Sequence, residues 1–432
     1  MRVLPLALRR DPLDVLASLA DEPGAFLVDL ADVAQPLTMI GCAPHAVLRV
    51  RPDDVSPLAT IADFVAAEPS DLPFPYGAVV GHLAYELGAP DAPSSDLPRA
   101  VLARYDPMLA YDRARGQYAL VCRDPASARA PWLERLAAAP PRWDGPLAGG
   151  PLVPLVSPAR QLASMRRILD YLAAGDAYQV NLTQPFVAPL VAPAWALFTA
   201  LARRHPVPHG AYLDVGEAAV VANSPELFLR RRGPCIETRP IKGTRPRGAS
   251  PARDAALAAE LRHDAKEQAE HVMIVDLERN DLGRIAVPGS VTVGPFAQVE
   301  SHPTVHHLVS SVRARVREGV GLADVLRATF PGGSVTGAPK LRAMEIIREL
   351  EPAARGPYTG AFGLFHPSGD LELGLAIRTA VVSRGRVRWH AGGGIVADSD
   401  PERELAEAWL KTAALRLVLG DDGAREARCS SG

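Results

Sequence analysis

The chain has 432 residues, 48% of them hydrophobic and 22% charged, with a formal net charge of −2. That length admits one large domain or two fused units. The near-neutral balance argues against a nucleic-acid binder, which carries a basic excess or stripe, and leaves room for a basic pocket that takes a small anion.

The N-terminal stretch MRVLPLALRRDPLD has too short an apolar run before Arg9 and Arg10 to form the core of a signal peptide. Short apolar runs then alternate with turn residues (AFLVDLA, TMIGCA, GAVVGHLAYEL, YALVCR), which predicts strands with a few helices. Residues 140–157 are dense in Pro and Gly and read as a linker or long loop. The expected organisation is 1–150 as the N-terminal part of one fold, 151–420 as its catalytic part and 421–432 as a disordered tail.

Beyond the linker, SPARQLASMRRILDYLAAGD predicts an amphipathic helix stopped by Gly175, followed by a strand over AYQVNLTQPFVA. The apolar segment 187–202 is interrupted by Pro189 and Pro193 and is shorter than a membrane span, so it reads as a strand end and a core helix. A cytoplasmic protein with no membrane association is expected. AYLDV and AVVANSPELFLRR predict a hairpin region, and PARDAALAAELR and DAKEQAEHVMIVDLERND two helices. A Gly-rich loop, FPGGSVTGAPK, precedes a helix over 339–350. The chain closes with a strand pair (GAFGLFHPSGDLELGLAIRTAVV), the strand RVRWHAGGGIV and one long helix starting near Asp400. Strands in runs with long helices between them fit an α+β fold better than regular βαβ alternation.

Four cysteines, Cys42, Cys122, Cys235 and Cys429, form no CxxC pair, which argues against a zinc site or disulfide framework. Cys235, in RRRGPCIETR, reads as a small residue at a strand start rather than a nucleophile. Glu267 and Glu270 share one helix face, as do Glu404, Glu407 and Lys411. Spacing alone leaves two readings: solvated helix faces, or paired carboxylates that hold a hard cation through oxygen. GGSVTGAPK lacks the GxxxxGK[ST] pattern of a phosphate loop, and AGGGIVADSDPE is either a tight turn or a set of N–H groups that could meet an anion. RPIKGTRPRG is either a basic loop or the setting of a functional lysine.

In their order, these segments resemble the chorismate-utilising enzymes. The resemblance runs over 158–420 through DAYQVNLTQPF, ANSPELFL, RPIKGTRPRG, EHVMIVDLERNDLGRI, VHHLVS, FPGGSVTGAPKLRAMEII, RGPYTGAFG, AIRTA and AGGGIVADSDPERELAEAWLK, and is fainter over 1–150. It implies a large α+β domain of two face-packed antiparallel sheets with outer helices and the active site in a cleft. It implies a magnesium cofactor held by Glu270 and Glu407, with Glu267 and Glu404 around it, to bind the ring carboxylate of chorismate. By the same resemblance Tyr358, Arg378, Gly392 and Gly393 take the enolpyruvyl carboxylate, Arg being suited to it by its planar fork. Gly243, Thr244, Lys411 and the catalytic-position residue His307 line the pocket, and Glu226 of NSPEL matches the general acid that protonates the departing C4 oxygen.

Two positions divide the family by reaction. Isochorismate- and salicylate-forming members carry a water-activating lysine where this chain has Gln179. Members that aminate C2 read PIAGT where those that aminate C4 read PIKGT, so the resemblance implies that Lys242 attacks C2, displaces the C4 hydroxyl and is itself expelled by ammonia at C4. Ammonia is expected from a separate glutamine amidotransferase subunit or from the medium, and a fused lyase is not expected. The alternatives are a C2-aminating enzyme and a non-catalytic chorismate-binding regulatory subunit.

Overall fold

The computed structural model describes residues 1–31, 36–124, 131–303 and 305–421. The tail expected over 421–432 lies outside the described residues except for Asp421. Among the described residues, twelve strands form one sheet, nine a second and three a small third, and every pairing is antiparallel.

Side-chain alternation explains the layering. In the strand Ala219–Ser224, Val220 and Ala222 enter one cluster while Ala219 and Val221 enter another. Successive residues of a strand point to opposite faces, so a strand apolar on both sides must be covered on both. The cluster holding Val220 and Ala222 also holds Phe26 and Val28 of the same sheet with Val80, Val101, Phe362 and Leu364 of the second, and is therefore the layer between the sheets. The opposite face of the large sheet is covered by the helices Pro12–Leu19, Ala194–Arg204 and Ala413–Leu419. The outer face of the second sheet is covered by Pro57–Ala66, Ala265–Gly283 and Leu322–Thr329. This is the α+β architecture of two face-packed sheets that the sequence motifs imply.

The region 1–150 does not stand apart. Phe26–Asp29 pairs with His209–Asp214, and Val79–Leu83 pairs with Ala361–Phe365, so both large sheets interleave strands from the two halves of the chain. The expected long C-terminal helix is broken into Pro401–Leu410 and Ala413–Leu419; between them the buried Thr412 turns its hydroxyl onto the Trp409 carbonyl at 2.7 Å. The AVVANSPELFLRR segment also divides: Ala219–Ser224 pairs with His209–Asp214, but Leu227–Arg232 lies in the second sheet. Asp400 caps its helix through the Arg403 N–H, with Pro401 in the first turn. No described helix is long and apolar enough to cross a membrane.

Candidate active site

Glu226 sits where the chain leaves one large sheet for the other, between Ala219–Ser224 and Leu227–Arg232. Its carboxyl is buried, 5% exposed, and accepts a hydrogen bond from the Ser334 hydroxyl at 2.8 Å. Burial pushes its pKa up to about 8, the Ser334 bond opposing and the charge of Glu278 adding to the rise. Glu226 therefore holds its proton at neutral pH.

Lys242, Gly243 and Thr244 lie on the strand Ile241–Pro246, whose ladder with Val305–Val309 slips between Lys242 and Thr244. Gly243 has φ +69 there, and a Cβ would meet Leu261 at 2.7 Å and a Glu267 oxygen at 3.1 Å. Glycine thus permits both the bulge and the close approach of the carboxylate. The bulge leaves Lys242 Nζ 3.3 Å from Glu270 Oε2, and its charge also acts on Glu226, Glu267 and Glu407. Opposite Thr244, His307 receives or donates at 3.0 Å to the Thr244 hydroxyl. Burial, reinforced by the positive charge of Arg378, lowers its pKa to about 4, so His307 is a neutral imidazole at pH 7.

The helix Ala265–Gly283 carries Glu267 and Glu270, and Pro401–Leu410 carries Glu404 and Glu407. Lys266 Nζ stands 3.9 Å from Glu270 and 3.8 Å from Glu404, tying the two helices together. Lys411 lies 2.8 Å from Glu407 and donates to the Gly392 carbonyl at 2.8 Å. Among the described residues no three His, Cys, Asp or Glu side chains stand together as a preformed metal cage. Cations stand beside each carboxylate pair instead: Lys242 and Lys266 at Glu270, Arg245 at Glu267, Lys266 at Glu404 and Lys411 at Glu407. The all-oxygen donor set, with an ammonium already drawn between the two helices, fits a hard divalent cation.

Gly392, Gly393 and Gly394 run along the strand Arg386–Ile395 beside Gln179–Pro189. A Cβ on Gly392 would lie 2.0 Å from the Leu182 carbonyl, and one on Gly393 would lie 3.4 Å from both Glu404 Oε2 and Lys411 Nζ. Bare backbone is what lets these charges approach the sheet. Gln179 is fully buried against Gly394, with neither amide atom hydrogen bonded. Tyr358 stacks on His390, centroids 5.2 Å apart. Arg378 has φ +48, and no carboxylate pairs with it among the described residues. A largely buried guanidinium without a counter-ion is a ready carboxylate receptor.

Three elements were not singled out from the sequence. Ser334, on the Gly-rich loop, contacts Glu226. Glu278 accepts from the Gly333 N–H at 3.0 Å. Arg355, 2% exposed, bonds Glu351 and the carbonyls of Val335 and Asn181, fixing the loop against the Gln179–Pro189 strand. The Gly-rich motif hinted at Ser334, but helix spacing gave no reason to separate Glu278 from its solvated neighbours. A cavity of about 450 Å³ lined by Arg384, Arg386 and Arg388 contains none of the expected site residues.

Residues 25–416 match the family of chorismate binding enzymes. The chain is 44% identical over 359 residues to anthranilate synthase component 1 of Thermus thermophilus, covering 80% of this chain and 78% of that protein. It is 42% identical over 354 residues to aminodeoxychorismate synthase component 1 of Klebsiella aerogenes, covering 79% and 76%. Its fold is similar to the crystal structure of anthranilate synthase component I from Streptococcus pneumoniae, with a TM-score of 0.79 at 28% identity over 90% of this chain and 93% of that one. The fold is also shared with the menaquinone-specific isochorismate synthase of Escherichia coli, with a TM-score of 0.78 at 22% identity over 97% and 94%.

Proposed function

Because the chain belongs to the family of chorismate binding enzymes, we propose that it aminates chorismate at C4 to give 4-amino-4-deoxychorismate, for 4-aminobenzoate and folate synthesis in the cytoplasm. Overall identity does not choose between C2 and C4 amination, since relatives of both names are 42–44% identical. The observation that carries the choice is Lys242, whose ammonium group reaches into the carboxylate cluster within electrostatic range of Glu226.

The chain's own residues supply the following chemistry. Arg378, with Tyr358 and the Gly392–Gly393 backbone, holds the enolpyruvyl carboxylate, and Thr244 and neutral His307 shape the ring pocket. Gln179 gives no base for a water nucleophile. Lys242 Nζ, as the free amine, forms a bond to C2; both conjugated ring double bonds shift one position towards C4, and the C4–O bond breaks as Glu226 delivers its proton, releasing water. Ammonia then bonds to C4 while the two double bonds shift back and the C2–N bond to Lys242 breaks, which releases the lysine as the free amine; the new C4 nitrogen gives up a proton that recharges Glu226. Glu270 and Glu407, with Glu267 and Glu404 beside them, would hold Mg²⁺, which supplies a positive counter-charge for the ring carboxylate.

The "component 1" names of the relatives support a separate amidotransferase as the source of ammonia. A C2-aminating enzyme is the second reading, favoured by the Thermus thermophilus relative. Incubating the protein with chorismate, Mg²⁺ and ammonium salt and identifying the product decides between them. A 4-amino product supports the proposal; anthranilate overturns it.

A further inference from the structure

The helix Ala265–Gly283 does more than present Glu267 and Glu270. Two turns further on, its buried face carries Glu278 and Asp281, 3% and 2% exposed. Buried carboxyl groups need partners, and these have them. Lys340 donates to Asp281, to the Thr329 carbonyl at 3.1 Å and to the Pro331 carbonyl at 2.7 Å. Glu278 Oε1 accepts the Gly333 N–H at 3.0 Å, and the Ser334 N–H also bonds to this carboxyl. A Cβ on Gly333 would fall 2.7 Å from the Leu277 side chain and 3.0 Å from Glu278 Oε1, so a larger residue would have to push one of them aside. Both ends of the 329–334 segment are thus fastened to one helix, and its Ser334 hydroxyl points at Glu226.

Resting on the reading of Glu226 as the general acid, we propose that Glu278 is its positioning residue: it holds the Gly333–Ser334 backbone so that the Ser334 hydroxyl stays on Glu226, and when ionised it faces Glu226 as a like charge. The ionisable groups facing this carboxyl are Asp281 on its own helix, Lys340 from Lys340–Leu350 and Glu226 from the crossover between the sheets. Burial and Asp281 push the Glu278 pKa up, and Lys340 pulls it back. When both carboxyls are ionised, the single ammonium leaves a net negative charge beside Glu226. That charge acts on Glu226 through a dry interior, where screening is weak. The rise of the Glu226 pKa includes this contribution after that of burial.

The test separates charge from scaffold. Glu278→Gln keeps an oxygen acceptor for Gly333 and removes the charge; Glu278→Leu removes both. Carbon-13 NMR of glutamate-labelled protein, with Glu226→Gln to assign the signal, reads the Glu226 pKa without turnover. Glu278→Gln should lower that pKa by about half a unit or more and move the alkaline limb of kcat down with it. Glu278→Leu should lower kcat about 10-fold or more at unchanged thermal unfolding of the domain. An unchanged Glu226 titration in Glu278→Gln overturns the electrostatic role, and wild-type kcat in Glu278→Leu overturns the positioning role. If Glu226→Gln itself turns over normally, the general-acid reading fails, while the NMR shift still decides whether Glu278 governs Glu226.

Discussion

Lys242 Nζ lies 3.3 Å from Glu270 Oε2, both side chains 15% exposed, so the proposed nucleophile and a proposed magnesium ligand form one ion pair. An ammonium and a divalent cation compete for the same carboxylate oxygen. Lys242→Ala should therefore bind Mg²⁺ about 3- to 10-fold more tightly than wild type, a gain set by losing one partly buried positive charge. Isothermal titration calorimetry in the absence of chorismate measures this. Equal or weaker affinity in the variant would show that Glu270 does not bind the metal from this position.

Glu226→Gln should lower kcat about 100-fold or more, the usual contribution of a general acid, while substrate affinity holds. The same change has a stability signature. The folded pKa of Glu226 is about 8, above the ordinary carboxyl value, so the folded state binds the proton more tightly than the unfolded one. Its stabilising contribution is full below about pH 4.3 and is lost as pH rises through 8. Glutamine carries no such loss, so the variant should gain on wild type between pH 5 and 9, by on the order of a few kcal/mol. Urea unfolding across that range checks the sign. A constant difference would place the Glu226 pKa in the ordinary carboxylate range.

Arg378 pairs with no carboxylate among the described residues, and burial alone lowers its pKa. Arg378→Lys keeps the charge but loses the bidentate fork, and should raise KM about 10- to 100-fold, the worth of a charge-assisted hydrogen bond. Because the proposed chemical step belongs to Lys242 and Glu226, kcat should fall much less. A loss confined to kcat would move Arg378 from binding to the chemical step.

Arg355 and Glu351 form a buried ion pair at 2.7 Å, 1% and 5% exposed. Removing one partner strands a charge, so Arg355→Ala should cost about 3–5 kcal/mol in urea unfolding. A Glu351→Leu/Arg355→Met pair should recover much of that loss, because it leaves no lone charge. If the double variant is no more stable than Arg355→Ala, the pair is not the source of the effect.

Much of the candidate site's layout was legible in the sequence because its residues sit on local motifs. Lys242, Gly243 and Thr244 stand on one bulged strand, Glu404 and Glu407 on one helix face, and Gly392–Gly393 on one strand, so their spacing survives folding. What was not legible depends on distant parts of the chain meeting. Ser334 reaches Glu226 across 108 positions, Glu278 reaches Gly333 across 55, and nothing in either local pattern announces the contact. The face-packed sheets were implied by the family motifs. Strand alternation alone did not reveal that Phe26–Asp29 and His209–Asp214 are neighbours, nor that the chain changes sheets at Glu226. The break at Thr412 was hidden because a buried threonine bonded to Trp409 competes with helix hydrogen bonding only where packing permits.

The most direct test of C4 amination is product identity, with wild type and Lys242→Ala assayed side by side with chorismate, Mg²⁺ and ammonium salt and the products separated by chromatography and mass spectrometry. The account predicts 4-amino-4-deoxychorismate from wild type and its loss in the variant. Anthranilate from wild type, or an undiminished 4-amino product from Lys242→Ala, would contradict it.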